Sequence, residues 1–386
     1  MEILLTLVLG FYLYHLTFFL ASLALKREIL ARPASGDYWI NRFAVIVPAH
    51  NEARVIASRV ANIARVRYPK NLYEVFVVAD NCTDETAAEA IRAGATVIER
   101  QNEDSRGKQH ALAYAFKQID LDKFDAVVVL DADNTVDNNL LMAFDAHLAR
   151  GEKVIQGYVE TQNHSDSWVT MNYAYIFWYM FRLQMARSKI GLSTWLAGTG
   201  LCISTETLRR IGWNVTTLTD DVEYTCQVIL AGEKVHLATS AVVYDQKPIG
   251  LQDSIKQRVR WVRGQTQVVV KYLPALVRMA FKSWASGDYK AAVRAFDACM
   301  WIPMQFILLA SFAYALYNQG FIYLLTLCLT APVMYVLPMV AERIKHRKGW
   351  AYLFSAGLFY LTWIPITIYS VATFRKSSWW RTPHTV

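Results

Sequence analysis

Apolar and polar positions follow different rules in successive parts of the chain. From Ile3 to Leu25 the sequence holds no Asp, Glu, Lys or Arg, a run long enough to cross a hydrocarbon core of ~30 Å. Only Glu2 precedes it, while Lys26, Arg27, Arg32 and Arg42 follow. A cleaved leader carries its positive charge first, so the run reads as a retained anchor whose basic flank faces the cytoplasm. From residue 42 to 250 the pattern becomes short apolar runs between stretches of helical spacing. Phe43 to Pro48, Val75 to Asp80 and Ala126 to Leu130 read as buried strands, and Thr96 to Ile98 as a short one. Asn51 to Ile63, Thr86 to Ala93 and Lys108 to Gln118 read as helices. Continuous apolar strands alternating with helices predict a mostly parallel sheet covered on both faces.

Beyond Leu251 the pattern changes again. Ile255, Val259, Leu273, Leu276, Val277 and Phe281 are interleaved with Lys256, Arg258, Arg260, Arg263, Lys271, Arg278 and Lys282. This is the pattern of basic amphipathic helices lying along a membrane surface. Ala298 to Tyr317, Phe321 to Val340 and Trp350 to Phe374 then lack acidic and basic residues, which predicts two or three further spans. Trp168 to Phe181 is rich in aromatic residues and reads as a core helix beneath the sheet's functional edge.

Composition sharpens this picture. The chain has 386 residues, 54% of them hydrophobic, and a net charge of +8. Its basic residues cluster beside apolar segments, which suits anionic lipid rather than nucleic acid. Five cysteines without C-x-x-C spacing predict neither a disulfide framework nor a zinc site.

Candidate chemistry gathers where the apolar strands end, the edge at which such sheets bind ligands. Asp80 ends one strand. Asp131 and Asp133 follow another as D-A-D, a turn that lets two carboxylates share a hard divalent ion with diphosphate oxygens. Thr83 or Asp84 is expected to cap the helix after Asp80. Asp220 and Asp221 stand side by side, so mutual repulsion raises one pKa and suits it to general-base work. Gln257, Arg260 and Trp261 lie on the basic amphipathic stretch, where Arg pairs with diphosphate oxygens and Trp stacks on a sugar or base.

In order, V-P-A-H-N-E (Val47 to Glu52), Asp80, D-A-D, T-D-D (Thr219 to Asp221) and Q-R-V-R-W (Gln257 to Trp261) closely resemble the family 2 glycosyltransferases with the processive-type signature. That group includes bacterial cellulose, hyaluronan, chitin-oligosaccharide and poly-N-acetylglucosamine synthases. The resemblance implies an α/β, GT-A-like catalytic domain and inverting, metal-dependent transfer of a hexosyl or N-acetylhexosaminyl group. The donor is expected to be a nucleotide-sugar, in particular a UDP-sugar, with Mg2+ or Mn2+. By the same resemblance Asp221 is the catalytic base. Asp80, Lys108, Asp131, Asp133, Gln257, Arg260 and Trp261 bind the donor, with Asp131 and Asp133 on the metal. Gly198, Thr199, Gly200, Asp220 and Trp261 face the acceptor.

The expected organisation is an anchor (1–26), a cytoplasmic catalytic domain (40–250), interfacial helices (251–285), membrane helices (297–375) and a tail (376–386), in a multi-pass plasma-membrane protein. The expected acceptor is a growing β-linked polysaccharide; the alternative is a membrane lipid that receives one sugar. The chain departs from the family pattern in two respects. Asp220 stands where the family usually has Glu, and few helices are left from which to build a polymer channel. The oligomeric state stays open.

Overall fold

The computed structural model describes residues 2–30, 40–319, 321–345 and 347–376. Arg32, Gly320, Arg381 and the tail past Lys376 lie outside these residues. The chain opens with helix α1 (Glu2–Leu23). The first half of the catalytic unit then runs β1 (Phe43–Ala49), α2 (Ile56–Ile63), β2 (Tyr73–Asp80), α3 (Thr86–Arg92), β3 (Thr96–Arg100), α4 (Lys108–Gln118) and β4 (Ala126–Val129). It continues with β5 (Thr135–Val136), α5 (Leu140–Ala149), β6 (Val154–Thr161), α6 (Trp168–Lys189), β7 (Leu201–Ser204), α7 (Thr205–Ile211), α8 (Asp220–Leu230) and β8 (His236–Asp245). Helices α9 (Leu251–Ala285), α10 (Tyr289–Trp301), α11 (Met304–Gln319), α12 (Phe321–Ala341), α13 (Arg347–Ala351) and α14 (Ala356–Ala372) complete it.

The strands form one sheet in the order β3-β2-β1-β4-β7-β6-β8-β5. The half from β3 to β4 is parallel throughout, as the apolar runs predict. β7 enters antiparallel between β4 and β6, and β5 pairs antiparallel with β8. The sheet is therefore mixed: the expected parallel pairing holds from β3 to β4 and between β6 and β8, and antiparallel pairing enters with β7 and β5. β1 and β4 at its centre are apolar at every position because both faces are covered. Phe43, Val45 and Val47 of β1 pack with Ile56 and Val60 of α2 on one face. Ala44 and Ile46 pack with Leu112 of α4 and Tyr224 of α8 on the other.

α6 begins at a capping box, in which the Ser167 side chain accepts from the Thr170 N–H at 3.2 Å. It is longer than its aromatic segment, 22 residues and mostly buried. The helices outside the sheet are built around it and α9: Phe19 of α1, Leu183 of α6, Val268 of α9 and Trp301 of α10 share one core. Tyr335 of α12 stacks on Tyr175 of α6 at 5.2 Å. The basic amphipathic stretch is one 35-residue helix, α9, that continues through Pro274. Among the described residues, Arg347–Ala372 is long and apolar enough to cross a membrane, and the bent pair α10–α11 passes the same test as one broken span.

Candidate active site

β2, β4 and β8 deliver Asp80, the D-A-D turn and Asp245 to the carboxyl edge of the sheet. Loop 193–200 and the N-terminus of α8 close over the same edge. Lys108, the first residue of α4, forms an ion pair with Asp131 and donates to the Gly198 carbonyl at 2.7 Å. Burial pulls the Lys108 ammonium down, but Asp131, Asp220 and Asp221 outweigh it and the net shift is upward. Gly107, just before it, has φ +121°, a backbone conformation glycine adopts freely.

Asp220 and Asp221 open α8. A helix N-terminus favours an anion by about 0.3–1 kcal/mol. Here that loses to burial and repulsion. Burial, followed by the charge of Asp220, raises Asp221 to about 7. Burial also raises Asp220, with Asp131 adding and Lys108 opposing. A Cβ placed on Gly198 would lie 3.6 Å from Asp221 Oδ2, so the Asp221 carboxylate faces the Gly198–Gly200 segment.

α9 fixes the strand of backbone that leads into this acid pair. Arg260 Nη1 donates to the Leu218 carbonyl at 3.2 Å, and Gln267 Oε1 accepts from the Leu218 N–H at 3.1 Å. Gly264 lies against Thr219 so closely that a Cβ there would meet Thr219 N at 2.7 Å. Glu223, fully buried, accepts from the N–H groups of Thr216 and Thr217 at 2.8 and 2.6 Å and from Lys271 at 2.6 Å. Burial alone would raise Glu223; Lys271 and the two N–H groups bring it below the ordinary range.

The expected residues thus fall into three groups. Lys108, Asp131, Gly198, Asp220, Asp221 and Arg260 share one electrostatic centre. Asp133, Thr199 and Gly200 adjoin it through Asn134 and the loop backbone. Asp80 and Trp261 stand at opposite margins. Asp80 is buried, paired with Arg100 and bonded to Asn81 Nδ2 at 3.0 Å. Trp261 packs edge-on against Tyr173 at 5.8 Å. Gln257 keeps its Oε1 buried without a hydrogen-bond partner. The neighbouring Arg258 turns away, donating to Thr362 Oγ1 at 2.7 Å and lying 4.2 Å over the Phe359 ring.

Sequence reasoning missed Asn134, Asp245 and Lys247. Asp245 ends β8 just as Asp80 ends β2, and that position was the available signal. Burial raises its carboxyl, opposed by its ion pair with Lys247 and reinforced by Asp133. Lys247 is itself 4% exposed and sits 3.8 Å over the Phe177 ring; nothing in the sequence pattern announces it. The expected cap at Thr83 or Asp84 is displaced: Glu85 is the N-cap residue, without a side-chain capping bond, while Asp84 Oδ1 accepts from the Thr86 N–H at 3.0 Å from one position earlier.

The model of the family described as Glycosyltransferase like family 2 matches residues 41–264, a stretch that takes in every candidate residue from Asp80 to Trp261. The chain belongs to this family. Over 245 residues it is 27% identical to beta-monoglucosyldiacylglycerol synthase of Nostoc sp., covering 61% of this chain and 51% of that one. Over 234 residues it is 24% identical to poly-beta-1,6-N-acetyl-D-glucosamine synthase of Staphylococcus aureus, covering 58% and 55%. The chain therefore spans little more than half the length of these curated relatives. In fold it is similar to the mannosyltransferase PcManGT of Pyrobaculum calidifontis, solved in complex with GDP-Man and Mn2+, with TM-score 0.55, 18% identity and coverage of 96% and 97%. This family 2 glycosyltransferase domain thus has a GT-A-like α/β fold.

Proposed function

We propose that this family 2 glycosyltransferase carries out inverting transfer of a hexosyl or N-acetylhexosaminyl group from a nucleotide-sugar, a UDP-sugar in the first instance, to a growing β-linked polysaccharide. The observation that carries this reading is the acid pair at the head of α8, with Asp221 raised to about 7 and facing Gly198 across from Lys108 and Asp131. A base with that pKa is half-ionised near neutral pH, where proton abstraction is most effective. In this reading Asp221 takes the acceptor hydroxyl's proton as its oxygen attacks the anomeric carbon from the face opposite the departing diphosphate. Lys108 meets the diphosphate's growing charge, Arg260 steadies the acid pair, Asp80 contacts the nucleoside, and Trp261 with Gln257 faces the acceptor end.

The donor set suits a hard cation. Asp131 and Asp133 offer oxygen ligands only, and burial, with neighbouring acids adding to it, holds Asp220, Asp221 and Asp245 above their ordinary range. Asp131 and Asp133 would hold Mg2+ or Mn2+ together with diphosphate oxygens, and the ion would neutralise the leaving group. Among the described residues no three His, Cys, Asp or Glu side chains converge on one point, which fits an ion completed by its nucleotide.

The membrane reading rests on α1, α12 and the apolar helices around them. Arg27, just after α1, and Glu342, just after α12, meet at 2.5 Å beside Glu160 of β6. Both helix ends therefore lie against the catalytic domain, on the side that Lys26 and Arg27 assign to the cytoplasm. A second acceptor, a membrane lipid receiving one sugar, is favoured by the basic amphipathic character of α9. Arg258 and Arg263 of α9 donate to Thr362 and Thr373 at 2.7 and 3.0 Å, so α14 and the residue after it brace α9 directly.

Full-length protein in detergent, supplied with Mn2+ and labelled UDP-glucose, UDP-N-acetylglucosamine, UDP-galactose or GDP-mannose, tests both readings by product size. A ladder of lengthening products supports the polysaccharide. Singly glycosylated lipid alone transfers the assignment to the lipid acceptor, and no turnover of any donor overturns the enzyme.

A further inference from the structure

One buried side chain, Asn134, uses its whole hydrogen-bonding capacity at this edge. It is 2% exposed. Its Oδ1 accepts from the Asp131 N–H at 3.1 Å and from the Thr199 hydroxyl. Its Nδ2 donates to Asp133 Oδ1 at 3.2 Å and to Asp245 Oδ1 at 3.1 Å. The partners dictate which way the amide points, because a backbone N–H only donates and an ionised carboxylate only accepts. An amide has two acceptor lone pairs and two N–H groups, and here each has a partner.

No other residue type of this size would do the same work. Asp133 comes from the turn after β4 and Asp245 from the end of β8, so two carboxylates from separate strands meet. Left to themselves they repel, by ~4 kcal/mol at 4 Å with an effective dielectric of 20. A lysine between them would cancel their charge and compete with a divalent ion for the same oxygens. An aspartate would add a third charge. The neutral amide holds both carboxylates and leaves their charge intact. Lys247 balances Asp245 from the opposite side, away from the turn, among Phe177, Tyr173 and Trp261.

We propose that Asn134 is a positioning residue that sets the D-A-D turn for a divalent cation and its nucleoside diphosphate by tying that turn to Asp245 at the end of β8. The proposal rests on the reading of Asp131 and Asp133 as the cation's ligands. Asn134 acts through Asp131, whose N–H it fixes, and through Asp133, whose carboxylate it orients; it touches no reacting atom. Groups that orient metal ligands typically cost 10–100-fold in metal affinity when removed.

The test is calorimetric titration of Mn2+ into full-length protein in detergent, with UDP and separately with GDP present, comparing wild type with Asn134→Ala and Asn134→Ser. Serine retains a hydroxyl for the Asp131 N–H but is too short to bridge Asp133 and Asp245. The expected result is Mn2+ affinity about 10–100-fold weaker in both variants. The Mn2+ concentration that half-activates turnover should rise by a matching factor, with kcat at saturating Mn2+ largely recovered. Failure of the wild type to bind Mn2+ in the presence of either nucleotide overturns the cation-site reading itself. Wild type that binds while both variants bind equally well overturns the role of Asn134 alone, as does a fall in kcat with Mn2+ affinity unchanged. Should both variants lose the fold, by thermal unfolding, the residue is structural and the proposal falls.

Discussion

At the scale of single residues, the candidate site trades stability for reactivity at Asp221. Its carboxyl is raised by burial and by Asp220 from 3.8 to about 7. A raised acid adds no penalty at pH values where it is protonated both folded and unfolded. As pH climbs from about 4 to about 7 the unfolded chain ionises while the folded one resists, and stability is lost across that window. As the proposed base, the same group would limit turnover from the other direction, because a base works only when ionised. We expect kcat/KM to fall as pH drops through about 7, a limb that initial rates at low donor concentration would trace. Asp221→Asn should lower kcat by about 10²–10⁴-fold while raising Tm at pH 8 and leaving it nearly unchanged at pH 4. A variant that keeps wild-type turnover removes Asp221 from the role of base. A variant less stable at pH 8 refutes the electrostatic account of its strain.

At the scale of elements, α9 is the part of the site that depends most on close contact. Gly264 admits α9 against Thr219, and a Cβ at position 264 would lie 2.6 Å from Thr219 Cγ2. A methyl there must push aside the residue that leads into Asp220 and Asp221. Overpacking of this kind costs about 1–3 kcal/mol, and a small shift of a catalytic group can cost about 100-fold in rate. Gly264→Ala should therefore lower kcat far more than it weakens UDP binding, measured by steady-state kinetics beside calorimetry. Equal loss of both would mean that α9 shapes the donor pocket rather than the acid pair. Which elements were legible in the sequence follows the same logic of contact. β1, β4 and the Val75 to Ala79 stretch of β2 were readable because burial on both faces makes them apolar. β5, of two residues, and β7, which follows Gly198 to Gly200, take their pairing from distant strands and leave no local pattern. α2 starts at Ile56 rather than Asn51, since Asn51 sits at φ 56° and its Oδ1 accepts from the Thr83 N–H at 2.7 Å. Asp80, Asp131, Asp133, Asp220 and Asp221 were legible as strand ends and turns, whereas Asp245 was missed although it too ends a strand. Their neutral and cationic supports, Asn134 and Lys247, were not, because their meaning lies in the partners that folding brings to them.

At the scale of the whole molecule, the question is what holds the apolar helices to the catalytic domain. The sequence reads Arg27 as a topological flank, and the fold places it in an ion-pair cluster. It meets Glu342 at 2.5 Å and Glu160 at 3.3 Å, while Arg182 of α6 reaches Glu342 at 2.5 Å and the Leu25 carbonyl at 2.7 Å. Trp178 Nε1 donates to Glu160 at 2.7 Å. One cluster of two acids and two arginines thus joins the ends of α1 and α12 to α6 and β6. Arg182 and Glu342 have side chains only 2% and 3% exposed. Exposed pairs such as Arg209 with Asp122 contribute little, since water solvates both partners. A buried pair differs: removing one partner strands the other charge and costs about 3–5 kcal/mol. Glu342→Ala should therefore lower the Tm of detergent-solubilised protein strongly and expose residues 24–30, just after α1, to protease. Asp122→Ala should leave Tm within the error of the measurement. Salt separates the mechanisms further, because screening acts on exposed charges and little on buried ones: wild-type Tm should be nearly the same at low and high NaCl. If Glu342→Ala unfolds at the wild-type temperature, the helices are held by their apolar cores alone, through contacts such as Tyr175 with Tyr335 and Phe19 with Tyr179.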